Sequence, residues 1–245
     1  MNKMFTTFAG ISLVLVTAVV AELPPYIKPC SRSSPDFKKC CVNHGNEALP
    51  ALLKGDNRLK LPSMTPLTFP KVEVNAGPNL KLSFNDANFY GLETIQLLDM
   101  DVDFGQQTME VKLKSDRISV IGQYDVDGKI MVLPLTGKGP ENITIINTDF
   151  VYKMTYTTTV KNGKAYVKPA KDDLKWKIAK AYFQLDNLFN GNVQMGDNVN
   201  KFLNDNDQDV LKELGGAVTE VIRIIARTVA DALFSSTPLD EIFLA

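Results

Sequence analysis

The sequence predicts an α+β protein in which a highly curved antiparallel β-sheet wraps around one long C-terminal α-helix. Two patterns in the chain of 245 residues carry this prediction. From about residue 71 to 189, apolar residues alternate with polar ones, as they do in strands with one buried face. From Asp207 to Phe234, apolar residues instead recur at helical spacing over an arc of about 180°, wider than the roughly 100° of a surface helix. A helix with so wide an apolar face must be partly wrapped by the sheet.

Residues 1–21 are predicted to be a secretory signal peptide that is cleaved after Ala21. Lys3 gives the segment a weakly positive start, and an apolar stretch from Ile11 to Val20 follows. The alternative, a membrane anchor, is disfavoured because this stretch is too short to cross a bilayer core of about 30 Å. The mature chain, 22–245, is therefore expected to be one secreted domain with no stable membrane insertion.

The segment before the sheet is expected to be extended at first, because its early prolines forbid a helix. A helix is predicted over Phe37–Leu53, with Pro35 at its first turn. The helix is expected to be interrupted near Gly45 and at Pro50, and Gly55 is expected to end it.

The sheet is predicted to be a meander of many strands. Two dipeptides, Asp127-Gly128 and Asn162-Gly163, have the composition of two-residue hairpin turns. Each is flanked by alternating apolar residues. An antiparallel sheet of this kind has one apolar face, and another element must cover that face.

The C-terminal helix is predicted to begin at the capping residues Asn204 to Asp207 and to run to Phe234. Its span is about 40 Å at the usual helical rise. A membrane-surface helix is disfavoured because its polar side is not rich in Lys and Arg. The residue pattern leaves two possibilities open: a completely filled interior, or an elongated apolar cavity between helix and sheet.

The charge balance and the single histidine exclude several classes of function. Lys and Arg number 27 against 28 Asp and Glu, so the chain lacks the basic excess that nucleic-acid binding requires. His44 is the one histidine, and no Gly-x-Ser-x-Gly motif is present. A hydrolase is therefore disfavoured, and no catalytic residues are predicted.

The three cysteines are disulfide candidates, because the chain is expected to be secreted and secretion implies an oxidising compartment. Cys30 can pair with Cys40 or with its neighbour Cys41, and either bond would close a short loop. The alternative is a zinc site built from these cysteines and His44, but no nearby residue supplies a fourth ligand in the usual spacing. No metal site is predicted.

Three stretches of the mature chain share their residues and order with one known family. They are Pro29-Cys30 to Cys40 with Glu47–Pro50, Lys54-Gly55 and Leu61–Leu67; Gly122–Gly139; and Thr237–Phe243. They resemble the N-terminal signature, the central Gly-x-Tyr…Gly…Leu-Pro-x-x-Gly-x-Gly motif and the closing segment of the insect takeout/juvenile hormone binding protein family. The resemblance covers essentially the whole mature chain.

The resemblance implies that the curved sheet and the last helix enclose a hydrophobic tunnel. It also implies a secreted carrier of a small apolar ligand, such as juvenile hormone, another terpenoid or a long-chain lipid, with no enzymatic activity and no cofactor. The family disulfide maps onto Cys30 and Cys40, which leaves Cys41 without a partner. No cysteine follows Cys41, which favours the takeout-like branch of the family over the blood carriers of juvenile hormone.

The tunnel wall is predicted to contain aromatic residues of the sheet and apolar residues of the last helix, each of which could equally be plain core. The candidates are Phe89, Tyr90, Tyr124, Trp176, Tyr182, Phe183, Val218, Ile222, Ile225 and Val229. Asn142 begins an Asn-Ile-Thr glycosylation sequon. The second functional hypothesis is an extracellular interaction protein whose tunnel is filled by side chains or a structural lipid, and a receptor partner is left open.

Overall fold

The computed structural model describes residues 23–75 and 79–245, so the predicted signal peptide lies outside the described residues. The strands are β1 (Cys30–Ser31), β2 (Leu67–Asn75), β3 (Leu80–Tyr90), β4 (Gln96–Asp103), β5 (Thr108–Ile130), β6 (Leu133–Lys161), β7 (Lys164–Leu185) and β8 (Phe243–Leu244). The helices are α1 (Phe37–Leu52), α2 (Val193–Asp205), α3 (Asp207–Glu213), α4 (Gly215–Ser236) and α5 (Leu239–Ile242).

The main sheet is antiparallel and has the order β2-β3-β5-β6-β7. Strand β4 pairs with the first half of β5, and β3 pairs with its second half. The long helix α4 packs on β7 and covers the inner face of the sheet. Strands β1 and β8 form a separate parallel pair that joins the N-terminal segment to the end of the chain. The predicted α+β fold, a curved antiparallel sheet with C-terminal helices, is confirmed.

A line that we call the crease crosses β5, β6 and β7 at the same level, and the alternation of inward and outward side chains reverses there. In a regular strand one residue separates two inward-facing side chains. On each of these strands two residues separate them at the crease, so the inward positions of the second half of the strand are shifted by one. The facing rows on the two sides of the crease are Ser115–Thr148–Ile178 and Ile118–Ile145–Ala181. Since side chains alternate strictly along a regular strand, this common shift keeps both halves of the inner face apolar.

Helices α2 and α3 cap the free edge of β7 with side chains instead of another strand. The pairs are Asn200 with Leu185, Asn204 with Phe183, and Asp207 with Ala181. The Asn200 amide accepts from the backbone N–H of Leu185 at 2.9 Å and donates to its carbonyl at 2.9 Å. Asn200 and Asn204 are separated by about 6 Å of helical rise, and Leu185 and Phe183 by about 6.6 Å of strand, so the two turns of α2 match alternate residues of the strand edge.

The N-terminal helix α1 is continuous, which corrects the predicted interruption. Pro50 lies inside it, two residues before its end at Leu52, so the one i→i−4 hydrogen bond that its missing N–H removes, to Asn46, is in the last turn. Gly45 instead permits close packing, because a Cβ there would come within 2.6 Å of the Leu97 side chain of β4.

The predicted helix from Asp207 to Phe234 is divided into two in the structure, α3 and α4. The chain turns at Leu214, where ψ is 0°, between the end of α3 and the start of α4. Gly215 and Gly216 follow directly, and glycine is the weakest helix former after proline. Helix α2, which precedes these two, was not predicted.

Of the two predicted hairpins, one is confirmed. Asn162 and Gly163 join β6 to β7 with φ of 51° and 75°, as a two-residue turn requires. Asp127-Gly128 lies inside β5, where the φ of Gly128 is 141° and any side chain would clash with the Asn79 carbonyl oxygen. The turn between β5 and β6 falls instead at Met131, whose N–H donates to Glu213 of α3 at 2.6 Å.

Candidate functional site

A cavity of about 400 Å³ lies between helix α4 and the inner face of the curved sheet. One side of the cavity is the apolar face of α4. Its lining residues there include Val218, Val221, Ile222, Ile225, Val229 and Leu233, which recur at the spacing of one helical face. A volume of this size falls within the range of small-molecule binding sites.

Inward-facing residues of the sheet form the opposite wall. Along β6 the lining runs through Ile143, Ile145, Thr148, Phe150, Tyr152 and Met154, and so crosses the crease. Neighbouring strands add Val120 and Phe183, among others. Helix α1 and the β1–β8 pair contribute the N-terminal end of the lining, with Cys41, Leu52 and Phe243.

The wall is almost entirely apolar. Among the described residues, the lining side chains that carry nitrogen or oxygen are those of Lys28, His44, Thr148 and Tyr152. The Lys28 ammonium donates to Glu47 at the surface. Such a wall favours an apolar ligand, because a polar or charged molecule would lose its hydration without gaining partners.

Tyr152 contributes its ring to the wall while its hydroxyl belongs to an ion-pair cluster. The hydroxyl donates to the Asp172 carboxylate at 3.3 Å, and Arg223 and Arg227 of α4 contact the same carboxylate at 3.2 and 2.9 Å. Burial and the neighbouring Asp172 raise the pKa of Tyr152, so the phenol stays neutral. The cluster fixes α4 to β7 beside the cavity, because Asp172 belongs to β7 and both arginines belong to α4. The side chain of Asp172 is only 1% exposed.

Six of the ten predicted wall residues line the cavity. They are Phe89, Phe183, Val218, Ile222, Ile225 and Val229. Their contact with a ligand remains a prediction.

The structure places the other four predicted wall residues outside the cavity lining, for different reasons. Tyr90 and Tyr182 are 44% and 51% exposed on the outer face of the sheet. Each follows or precedes an inward phenylalanine, Phe89 or Phe183, and adjacent strand residues point to opposite faces.

Tyr124 is buried and Trp176 is partly buried, and both use their polar atoms within the protein. The Tyr124 hydroxyl donates to the Asp186 carbonyl at 2.6 Å, and burial raises the pKa of Tyr124 to about 12. The indole N–H of Trp176 donates to Thr219 of α4 at 2.9 Å, and its ring packs against all three buried clusters of the protein. Trp176 therefore joins the sheet to α4 rather than facing a ligand.

The disulfide implied by the family resemblance is present between Cys30 and Cys40, whose Cα atoms are 5.9 Å apart. Cys41 is a buried free thiol that lines the cavity, and burial raises its pKa to about 11. The His44 Nδ1 lies 3.4 and 3.5 Å from the two bonded sulfurs. These sulfurs are bonded to each other and are not thiolates, so the alternative zinc site has lost two of its ligands.

Sequence reasoning missed two groups of wall residues. Ala48, Leu49 and Leu52 of α1 line the cavity, and the helical spacing of these apolar residues was a usable signal. Thr148 was missed because its inward direction depends on the crease. Asn142, the predicted glycosylation site, is exposed on the outer face of β6, and its glycosylation remains a prediction.

A curved antiparallel sheet that closes over a helix around an apolar cavity defines a class of hydrophobic-ligand-binding α+β proteins. The family described as haemolymph juvenile hormone binding protein (JHBP) matches residues 11–244. The chain therefore belongs to this family.

Known proteins agree with this assignment. "Circadian clock-controlled protein daywake" of Drosophila melanogaster is 24% identical, over 98% of this chain and 96% of that protein. "Putative beta-carotene-binding protein" of Schistocerca gregaria is 22% identical, over 89% of this chain and 88% of that protein. The crystal structure of Epiphyas postvittana Takeout 1 has the same fold, with a TM-score of 0.80 and 23% identity over 89% of this chain and 99% of that one. The predicted takeout-like membership is confirmed.

Proposed function

We propose that this protein is a secreted, non-enzymatic carrier that holds one small hydrophobic molecule, a terpenoid or a long-chain lipid, in the cavity under α4. The observation that carries the proposal is the cavity of about 400 Å³ with its apolar wall. Burial of ligand surface there would stabilise the complex by about 25 cal/mol per Å² before the costs of association are subtracted.

Two further findings support the proposal. The family is one of binding proteins named for a haemolymph hormone carrier, and one relative is named for carotene binding. Within the part of the chain that the structure describes, no helix has both the length and the hydropathy needed to cross a bilayer. Secretion rests on the predicted signal peptide.

A fluorescent hydrophobic probe, N-phenyl-1-naphthylamine, tests the proposal directly. We expect the purified protein to bind it at a one-to-one ratio, and Ile225→Trp to weaken binding about tenfold or more because the indole occupies cavity space. The matched control is Ile224→Trp, since Ile224 is the neighbouring residue on the same helix but is 43% exposed. Equal loss in both variants would indicate a damaged fold rather than a blocked cavity.

Extraction of the natively purified protein separates this proposal from the interaction-protein hypothesis. A stoichiometric lipid that exchanges with added probe supports carriage. A protein that yields no lipid and takes up no probe supports a role through its surface and contradicts the carrier proposal.

A further inference from the structure

Two buried hydroxyl groups, one in the cavity wall and one beside it, have no partner. The Oγ of Ser115 and the Oγ1 of Thr148 have no hydrogen-bond partner among the described residues, and both residues are 1% exposed. The two residues face each other across β5 and β6 as direct cross-strand partners. Thr148 lines the cavity, and Ser115 shares its inward face beside the lining residue Leu113.

The hydroxyl pair lies midway along the wall. The lining of β6 extends from Ile143 to Met154, and Thr148 stands near the centre of that range. At about 3.3 Å per residue, apolar wall continues for roughly 17 Å on one side and 20 Å on the other. In a molecule that fills the cavity, the atoms next to the hydroxyl pair would therefore lie in the middle of the molecule rather than at its end.

Leaving two hydroxyls unpaired is costly, because each buried group has lost its hydration without gaining a hydrogen-bond partner. Water is a poor solution in this wall. A buried water typically makes about three hydrogen bonds, and the two hydroxyls would supply only two, because the neighbouring side chains, such as Leu113, Ile145 and Phe150, are apolar. A hydrogen-bond acceptor carried by the ligand itself would satisfy one or both hydroxyls.

We propose that Ser115 and Thr148 form a polar subsite that recognises a carbonyl-type oxygen partway along an elongated, otherwise apolar ligand. This inference rests on the proposed carrier function and adds the chemistry of the ligand to it. The hydroxyls donate to the oxygen, and the apolar walls on both sides contact the hydrocarbon arms.

The test compares two competitors that differ in one group, 6-undecanone and undecane. Each displaces N-phenyl-1-naphthylamine from the wild-type protein and from Ser115→Ala, Thr148→Val and the double variant, all of which nearly conserve volume. We expect the double variant to bind the ketone about five- to tenfold more weakly and the alkane with unchanged affinity, with smaller losses in the single variants.

Matched controls come from the same strands. Ser119→Ala on β5 and Thr157→Val on β6 remove hydroxyls that are not buried on the inner face, and both are expected to leave the ketone and alkane affinities unchanged. Infrared spectra of ketone labelled with carbon-13 at the carbonyl give a second readout. The carbonyl stretch is expected at lower frequency in the wild type than in the double variant.

An unchanged ketone affinity together with an unchanged carbonyl frequency in the double variant would overturn the subsite. Equal loss of ketone and alkane affinity would also overturn it, because it would show a packing effect. Failure of the probe and of both competitors to bind the wild type would instead contradict the carrier function itself, so the two failures are distinguishable.

Discussion

Glu141 is a buried acid whose ionisation should destabilise the protein at alkaline pH. It lies on the inner face of β6 between Gly122 and Leu185, and is only 2% exposed. Neither carboxylate oxygen has a hydrogen-bond partner among the described residues. The hydroxyl of the nearby Tyr124 donates to the Asp186 carbonyl, so it does not donate to the Glu141 carboxylate.

Burial raises the pKa of Glu141 from 4.5 to about 8. The folded protein therefore keeps the proton over a range in which the unfolded chain has released it, so stability falls as the pH rises from about 4.5 to 8. At about 1.36 kcal/mol per pKa unit, the full cost above pH 8 is about 3–5 kcal/mol. Below pH 4.5 the carboxyl is neutral in both states and contributes no pH dependence.

Urea unfolding of wild type and Glu141→Gln at pH 4.5 and pH 9 measures this cost. The amide has nearly the same shape but cannot ionise, so the variant is expected to be about 3–5 kcal/mol more stable than wild type at pH 9. The difference at pH 4.5 is expected to be below about 1 kcal/mol. Glu93→Gln is the matched control, because Glu93 is exposed and should give no difference at either pH.

Equal stability differences at the two pH values would refute the reasoning, since a constant difference reports packing or hydrogen bonding rather than ionisation. A variant that is less stable than wild type at pH 9 would show that the charged carboxylate has partners in solution.

Three further experiments test the contacts and the burial of residues around the cavity. Asn200→Leu leaves the N–H and C=O of Leu185 unpaired and is expected to lower the free energy of unfolding in urea by about 2–3 kcal/mol, whereas the exposed Gln194→Leu should leave it unchanged. Asp172→Asn leaves two arginines of α4 without their buried anion and should cost about 3 kcal/mol in the same assay. Cys41, whose pKa burial raises to about 11, should react with Ellman's reagent at pH 8 at least about a hundredfold faster in urea than in the native protein, and equal rates would contradict its burial.

The sheet and its covering helix could be predicted because their apolar residues repeat at the periods of strand and helix. The break at Leu214 could not, because the apolar arc continues across it and the two glycines that follow are compatible with an unbroken helix. The role of the α2 side chains that cap the edge of β7 could not be predicted either. In the sequence, Asn200 and Asn204 are typical of the exposed face of a helix, and only the position of β7 shows that they bond to its backbone. Long-range pairing, rather than local propensity, decides such cases.

The crease could have been predicted, because its signal is present in the sequence. Ile143 and Ile145 set one phase of alternation on β6, while Phe150 and Tyr152 set the opposite phase. The same reversal occurs at the paired level of β5 and β7. One reversal is a local irregularity, but reversals at one level of three paired strands form a line across the sheet, with inward apolar residues on both sides of it. The reversal also turns Thr148 inward, and it thereby places a hydroxyl in the otherwise apolar wall.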